Sequence, residues 1–357
     1  MKKLIAMLLV LVMVFAMTIS MTGCKKDDGK LYIPVMAKGE QHQFWQVVKE
    51  GAQDAATKLG VEIYFAGPAS ETEIDKQVEM IRTELAKNPK ALALAALSTE
   101  AVKEILDECA SKNIPVIGFD SGVPGDTSGA VKATASTNNE VAAAIAATKF
   151  GEHTELVAAM KAATVEKPII IGCLSQDAVS ASVVGRTVGF VEKMYEIASQ
   201  HGTAAVIGHD NYIKGDASKA SIIIEVAVSA TTDAAAVETA ANGLLTKDNL
   251  AAIFCSNEGA VTGFLAAVSD GEDLKEGGKY DGLVVAGFDA GKAQKDAVRA
   301  GLFYGSVTQD PYRIGYLAVE MAVAAAKGET VQDMDTGAKW YDASNIDSAD
   351  IKDLVYD

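Results

Sequence analysis

Short, nearly unbroken apolar runs alternate with longer segments whose apolar residues recur every three or four positions. "KLYIPVMA" precedes a helical stretch from about Phe44 to Leu59, and "VEIYFAG" precedes one with apolar residues at Ile74, Val78, Ile81 and Leu85. "ALALAAL" leads into "TEAVKEILDECASKN", and "IPVIGFD" ends the fourth unit. After "VKATAST" the rhythm resumes with a helix predicted from about Glu140 to Met160, the strand "PIIIGCL" and a helix from about Ser180 to Gln200. "SIIIEVAVSA", "LAAIFCSN" and "GLVVAGFD" each precede a further helical segment, and "LFYGSVTQDPYRIGYLAVEMAVAAAKGE" adds a last strand and helix. Strand-helix alternation predicts parallel sheets covered by helices on both faces, and apolar runs without polar interruption fit strands buried on both sides. The pattern divides into two such sheets with a break near 132–139. Residues 202–220 are too long for a simple connector and leave room for an extra strand and a polar surface loop.

The first residues are read separately. Met1-Lys2-Lys3 is basic, "LIAMLLVLVMVFAMTIS" is apolar, and Met21-Thr22-Gly23-Cys24 follows, the order of a secretory signal. The cysteine after Thr-Gly resembles a bacterial lipobox, with Met21 where Leu or Val is usual. That resemblance implies removal of 1–23, acylation of Cys24 and a short tether over 24–30; the alternative is a membrane-spanning anchor. Without Lys2 and Lys3, 30 basic residues face 48 acidic ones, a net charge of −18. Such an excess disfavours nucleic acid and anionic membrane surfaces, which need clustered cations. Cys109, Cys173 and Cys255 sit in apolar segments without a CxxC, and the four histidines lack ligand spacing, so neither a disulfide framework, a metal nor any cofactor is expected.

Candidate chemistry gathers where the apolar runs stop. "PVIGFD" closes on Asp120, "IFCSN" on Asn257, "VVAGFD" on Asp289 and "GSVTQ" on Gln309. Parallel sheets bind ligands beyond the carboxyl ends of their strands. Each such residue is also a good helix N-cap, but four strands ending this way point to one crevice. Arg186, in the first turns of a helix where the dipole disfavours a cation, is a surface arginine, a partner for Asp289, or a fork aimed from the crevice wall at two neighbouring hydroxyls. Phe44 and Trp45 follow Gln43 where a strand hands over to a helix. Adjacent helical positions point about 100° apart, so one ring belongs to the core edge and the other faces what the loop contacts.

"QHQFWQVVKEGA", "IPVIGFDSG", "GRTVGF", "FCSNEGAVTGFLAA", "VAGFDAGK" and "VTQDPYRIGYLA" together resemble the landmarks of the ribose/galactose class of periplasmic sugar-binding proteins, from about Lys30 to Asp357. The resemblance implies two Rossmann-like α/β lobes joined by a three-segment hinge near Thr134–Asn138, Gln309–Pro311 and after Gly328. One lobe would take 31–135 and 311–336, the other 136–310 and 337–357. It implies an exported, membrane-anchored, monomeric receptor of an ABC importer that closes on a monosaccharide and delivers it to permease subunits. Phe44 and Trp45 would stack on the sugar, and Gln43, Asp120, Ser121, Arg186, Asn257, Asp289 and Gln309 would complete the site. Ser121 stands where ribose binders have Arg, and the aromatic they contribute from the second lobe has no clear counterpart, with 202–220 close to its expected place. Rival expectations are a nucleoside or autoinducer-like furanosyl ligand in the same fold, an amino acid, or a sugar-processing enzyme. Against catalysis stand the lack of a phosphate loop or nucleophile elbow, and of a His or Lys at a strand end. Repressors sharing the fold carry a DNA-binding helix pair where this chain has an export signal.

Overall fold

The computed structural model describes residues 30–356, and Tyr32–Asp357 form one compact unit. The signal segment, Cys24 and all but the last tether residue lie outside the described residues. The first sheet is built from β1 (Tyr32–Met36), β2 (Glu62–Ala66), β3 (Leu92–Leu94), β4 (Val116–Phe119), β5 (Val131–Ser136) and β12 (Met334–Asp335), in the order β12-β5-β4-β3-β1-β2. All its pairings are parallel. Helices α1 (Gln43–Leu59), α2 (Ile74–Leu85) and α3 (Lys103–Ser111) alternate with its strands. The strand at the expected break, β5, pairs with β4 and so extends the first sheet.

The second sheet runs β13-β11-β10-β9-β6-β8-β7. Its strands are β6 (Ile169–Ser175), β7 (Ala204–Ile207), β8 (Ile222–Val228), β9 (Leu250–Cys255), β10 (Val284–Phe288), β11 (Gly305–Gln309) and β13 (Ala338–Tyr341). Only β13 is antiparallel, against β11. Around it lie α4 (Asn139–Glu152), α5 (Thr154–Ala162), α6 (Ala181–Ala198), α7 (Ala234–Leu245), α8 (Glu258–Ala267) and α9 (Lys292–Arg299). The single helix expected over 140–160 is two. His153 leaves the helix with ψ 112°, and its ring nitrogen accepts from the backbone of Leu156, capping the second piece. Residues 202–220 supply β7, the outermost strand, and two short 3-10 turns.

The chain crosses between the two lobes three times: β5 to α4, β11 to α10 (Pro311–Ala326), and β12 to β13. The crossings converge on buried Thr137. Its hydroxyl lies 3.0 Å from Gln309 Oε1, 3.2 Å from Thr336 Oγ1 and 3.3 Å from the carbonyl of Gly337. Asp335 accepts from the backbones of both Asn138 and Gly337, so one carboxylate spans two crossings.

Although α10 follows β11 of the second sheet, it packs on α1 of the first lobe. The two helices touch backbone to backbone at Gly51 and Gly315. A Cβ on Gly315 would fall 1.9 Å from the carbonyl oxygen of Val48, and one on Gly51 would fall 2.0 Å from that of Tyr312. Overpacking such a contact costs about 1–3 kcal/mol, so Gly315→Val is expected to lower unfolding stability by at least that much in urea titration. Gly243, in α7, has open space around its Cα. Gly243→Ala should raise stability by up to ~1 kcal/mol through helix propensity alone, and equal effects of the two variants would refute the packing argument.

Candidate functional site

The carboxyl ends of the two sheets face one another across a cavity with an empty volume of about 270 Å3. Of the residues expected from the sequence, Phe44, Trp45, Asp120, Arg186, Asn257, Asp289 and Gln309 line it. Gln43 and Ser121 do not. Lys38, His42, Glu71 and Glu258 join the wall in addition.

A short repeat builds two opposite walls. "VIGFD" ends β4 in the first lobe and "VAGFD" ends β10 in the second. Both aspartates take left-handed backbone angles, φ 50° at Asp120 and 75° at Asp289. Such a conformation is uncommon outside glycine, and Asp and Asn tolerate it best. The preceding phenylalanines support what the aspartates face: Phe119 lies edge-on to Trp45 at 6.3 Å, and Phe288 carries the Arg186 guanidinium 3.9 Å above its ring.

Arg186 is 3% exposed and nearly saturated. Its Nε donates to Asn139 at 2.8 Å, and one terminal nitrogen donates to the Ser256 carbonyl at 3.4 Å and to Asp289 at 3.3 Å. The other terminal nitrogen lies 3.8 Å from Asp120. Arg186 therefore is the partner of Asp289 rather than a surface arginine, and it also lines the cavity. Asp289 is held in turn by Gln309 Nε2 at 2.7 Å and the backbone of Glu258 at 3.0 Å. Since Gln309 Oε1 accepts from Thr137, an unbroken chain of bonds joins the crossings to the guanidinium. Asp289 and Gln309 therefore orient Arg186, whereas Asp120 has acceptor capacity left: its Oδ2 is buried without a hydrogen-bond donor.

The cation nearest that oxygen is Lys38 Nζ, at 3.5 Å. Lys38 follows β1 and is 4% exposed, so a lysine does stand at a strand end, contrary to the sequence reading. The signal was legible, since "LYIPVMAK" is another apolar run closing on a polar residue. Burial works against its ammonium, but Asp120, Glu71 and Asp177 more than offset this and hold its pKa above the ordinary lysine value. It is a fixed cation, not a base. Burial raises the Asp120 pKa above its ordinary value, with Lys38 and Arg186 pulling the other way. For Glu71 the balance reverses: Lys38, His42, Arg186 and the Trp45 indole outweigh burial and hold it below its usual value. Trp45 Nε1 donates to Glu71 at 2.9 Å, and its ring meets Phe44 edge-on at 4.9 Å. Both rings are almost fully buried and both line the cavity.

The residues off the wall do other work. Ser121 accepts from the backbone of Ser182 in the opposite lobe. Asn257 caps α8 through Ala260 and donates to Gln176, so the capping alternative for this strand end is correct as well. Helix α1 receives no side-chain cap from its own His42, and α9 none from Gly291. Each is capped from across the cleft. Glu258 of the second lobe accepts from the backbones of Gln43 and Phe44 at 3.2 and 3.3 Å. Gln43 Oε1 of the first lobe accepts from Lys292 at 2.7 Å. Burial raises the Glu258 pKa, opposed by His42 and these backbone donors and reinforced by Asp289. None of 202–220 reaches the cavity, because β7 lies at the far edge of its sheet; no aromatic comes from there. Among the described residues, no group of three or more His, Cys, Asp or Glu could hold a metal ion, and no helix is long and apolar enough to cross a membrane.

Residues 33–330 match the family described as periplasmic binding protein domain. The D-allose-binding periplasmic protein of Escherichia coli (strain K12) is 26% identical over 305 residues, 84% of this chain and 86% of that protein. The ribose import binding protein of the same organism is 26% identical over 336 residues, covering 93% and 95%. Among solved structures, an "ABC transporter, LacI family transcriptional regulator" from Brachyspira murdochii is similar with a TM-score of 0.76 and 40% identity, covering 93% of this chain and 100% of its own. A carbohydrate transporter solute binding protein from Agrobacterium radiobacter, in complex with D-arabinose, has a TM-score of 0.74 and 25% identity, covering 92% and 100%. The family match begins in β1 and ends beyond α10, and these similarities take in both sheets; the chain belongs to the periplasmic binding protein family and has its type I fold.

Proposed function

We propose that the protein is an extracytoplasmic solute-binding lipoprotein that captures a monosaccharide between its lobes and presents it to an ABC permease. The observation that carries this is the pairing, in one small cavity, of an aromatic corner (Phe44, Trp45) with fixed charged groups (Lys38, Glu71, Asp120, Arg186). A sugar ring has apolar C–H faces and an equator of hydroxyls, and this wall has a counterpart for each. Hydrogen bonds to charged groups contribute about 1.5–3 kcal/mol each, against about 1 for neutral pairs. The relatives' names, D-allose and ribose among them, support the same class of ligand. Titration calorimetry against D-allose, D-ribose, D-arabinose, D-fucose and adenosine is expected to show saturable binding of at least one sugar without turnover. Binding of adenosine alone, or of nothing, would overturn the sugar reading.

Asp120 offers the sharpest test. Its raised pKa means that burying the ionised carboxylate costs stability above that pKa, a cost relieved as pH falls through it. Asn is neutral and tolerates the left-handed backbone. Asp120→Asn should leave the unliganded protein at least as stable at pH 7, while weakening sugar binding by roughly tenfold or more through loss of a charged acceptor. A stable variant with unchanged affinity would remove Asp120 from the site.

Closure of the lobes is read from the reciprocal caps, since each helix start is capped by a side chain of the opposite lobe. A cap is worth about 1 kcal/mol, so Gln43→Ala, which removes a side chain outside the cavity lining and leaves the Gln43 backbone bond to Glu258 in place, should weaken binding about fivefold through faster dissociation. Stopped-flow kinetics showing the native dissociation rate would count against closure through these caps.

Anchoring rests on the Thr22-Gly23-Cys24 junction after the apolar run. In cells fed a clickable fatty acid, Cys24→Ser is expected to lose the label and leave the membrane fraction. Persistent labelling would exclude Cys24 as the anchor.

A further inference from the structure

The strand ends not used by the first cavity form a second one. The wall of the first comes largely from the segments after β1, β4, β9 and β10 and the end of β11. The segments after β2, β3, β6 and β8 line a neighbouring, partly open pocket whose empty volume, open solvent included, is about 820 Å3. Glu71 lines both, and Gln176 stands beside it. Across the partition Gln176 Nε2 donates to Glu71 Oε2 at 3.4 Å, near the outer limit for a hydrogen bond, while Glu71 also accepts from the Trp45 indole and Gln176 from Asn257, both on the wall of the first cavity.

The two cavities differ in chemistry. The first is dominated by ionisable side chains. The second is lined by Ile74, Leu97, Val179, Val228 and Ala230, with Val179 left 48% exposed. Its other carboxylate, Asp177, is occupied by the backbones of Val179 and Ser180 and by the Ser180 hydroxyl. Thr232 adds a buried hydroxyl with no hydrogen-bond partner. An apolar space of this size beside a tight polar one suits a ligand with two unlike halves.

We infer that the second cavity is a subsite for an apolar substituent on the sugar, so that a glycoside with an aryl or alkyl aglycone binds in preference to the free monosaccharide. The sugar half occupies the charged cavity and the aglycone passes between Glu71 and Gln176, which part as the weak bond between them breaks. The inference rests on the sugar reading proposed above.

Calorimetry on the purified protein with methyl and 4-nitrophenyl β-glycosides of D-allose, D-ribose, D-arabinose and D-fucose tests it. For any sugar that binds, the nitrophenyl glycoside is expected to bind about tenfold tighter than the methyl glycoside, the gain from covering one ring. Ala230→Trp and Val179→Asp, at exposed positions where folding is not at stake, should each erase that preference and leave the methyl glycoside within about twofold of native. Free sugars binding while both glycosides bind more weakly would overturn the subsite and leave the sugar reading intact. If no sugar or glycoside binds, the sugar reading fails and the subsite falls with it. A preference that survives both substitutions would place the aglycone elsewhere and overturn the assignment.

Discussion

A guanidinium buried between two lobes has to be neutralised and hydrogen-bonded, because an uncompensated interior charge costs several kcal/mol. Arg186 meets this demand with partners from four separate segments: Asn139 at the start of α4, the Ser256 carbonyl after β9, Asp289 after β10, and Asp120 of the opposite lobe. Phe288 beneath it fixes the plane of the fork. Asp289 needs Gln309, and Gln309 meets Thr137 where the crossings converge. The positions of the strand ends, the left-handed turn at Asp289 and the layout of the crossings are thus tied to one cation. Its remaining nitrogen is what the cavity can use.

Around that fixed point, much of what joins the lobes is polar and short-range. Ser121 meets the backbone of Ser182, Lys38 its hydroxyl, Gln176 meets Glu71, and the two reciprocal caps exchange one side chain in each direction. Each bond of this kind adds little net free energy, because water can take the place of either partner. They give a closed geometry without the large apolar interface that would lock it. The apolar cores lie elsewhere, one under each sheet.

Which wall residues were recognisable from the sequence follows from where each signal lay. Asp120, Asn257, Asp289 and Gln309 were visible because an apolar run stops abruptly on a polar residue. Lys38 carries the same signal, at the end of "LYIPVMAK". Glu71 and Glu258 gave none: the first lies in a loop five residues beyond β2, and the second reads as an ordinary acidic residue in a first helical turn. Gln43 and Ser121 each neighbour a wall residue in sequence without lining the wall. A one-residue step along a helix or turn rotates the side chain away, and each faces the opposite lobe's backbone instead.

The sequence by itself determined the alternation of strands and helices, the division into two sheets and the set of polar strand ends, because period and burial are local properties of a chain. It also carried the family resemblance, through residues whose backbone roles are local, such as the Gly-Phe-Asp that turns each aspartate inward. Only the tertiary structure decided which end caps which helix, that Lys38 and Glu71 flank Trp45, that Asp289 is spent on Arg186 while Asp120 is not, and that unused strand ends line a second, apolar space. Most of those facts depend on side chains more than 100 positions apart meeting in space, and no local pattern encodes such a distance.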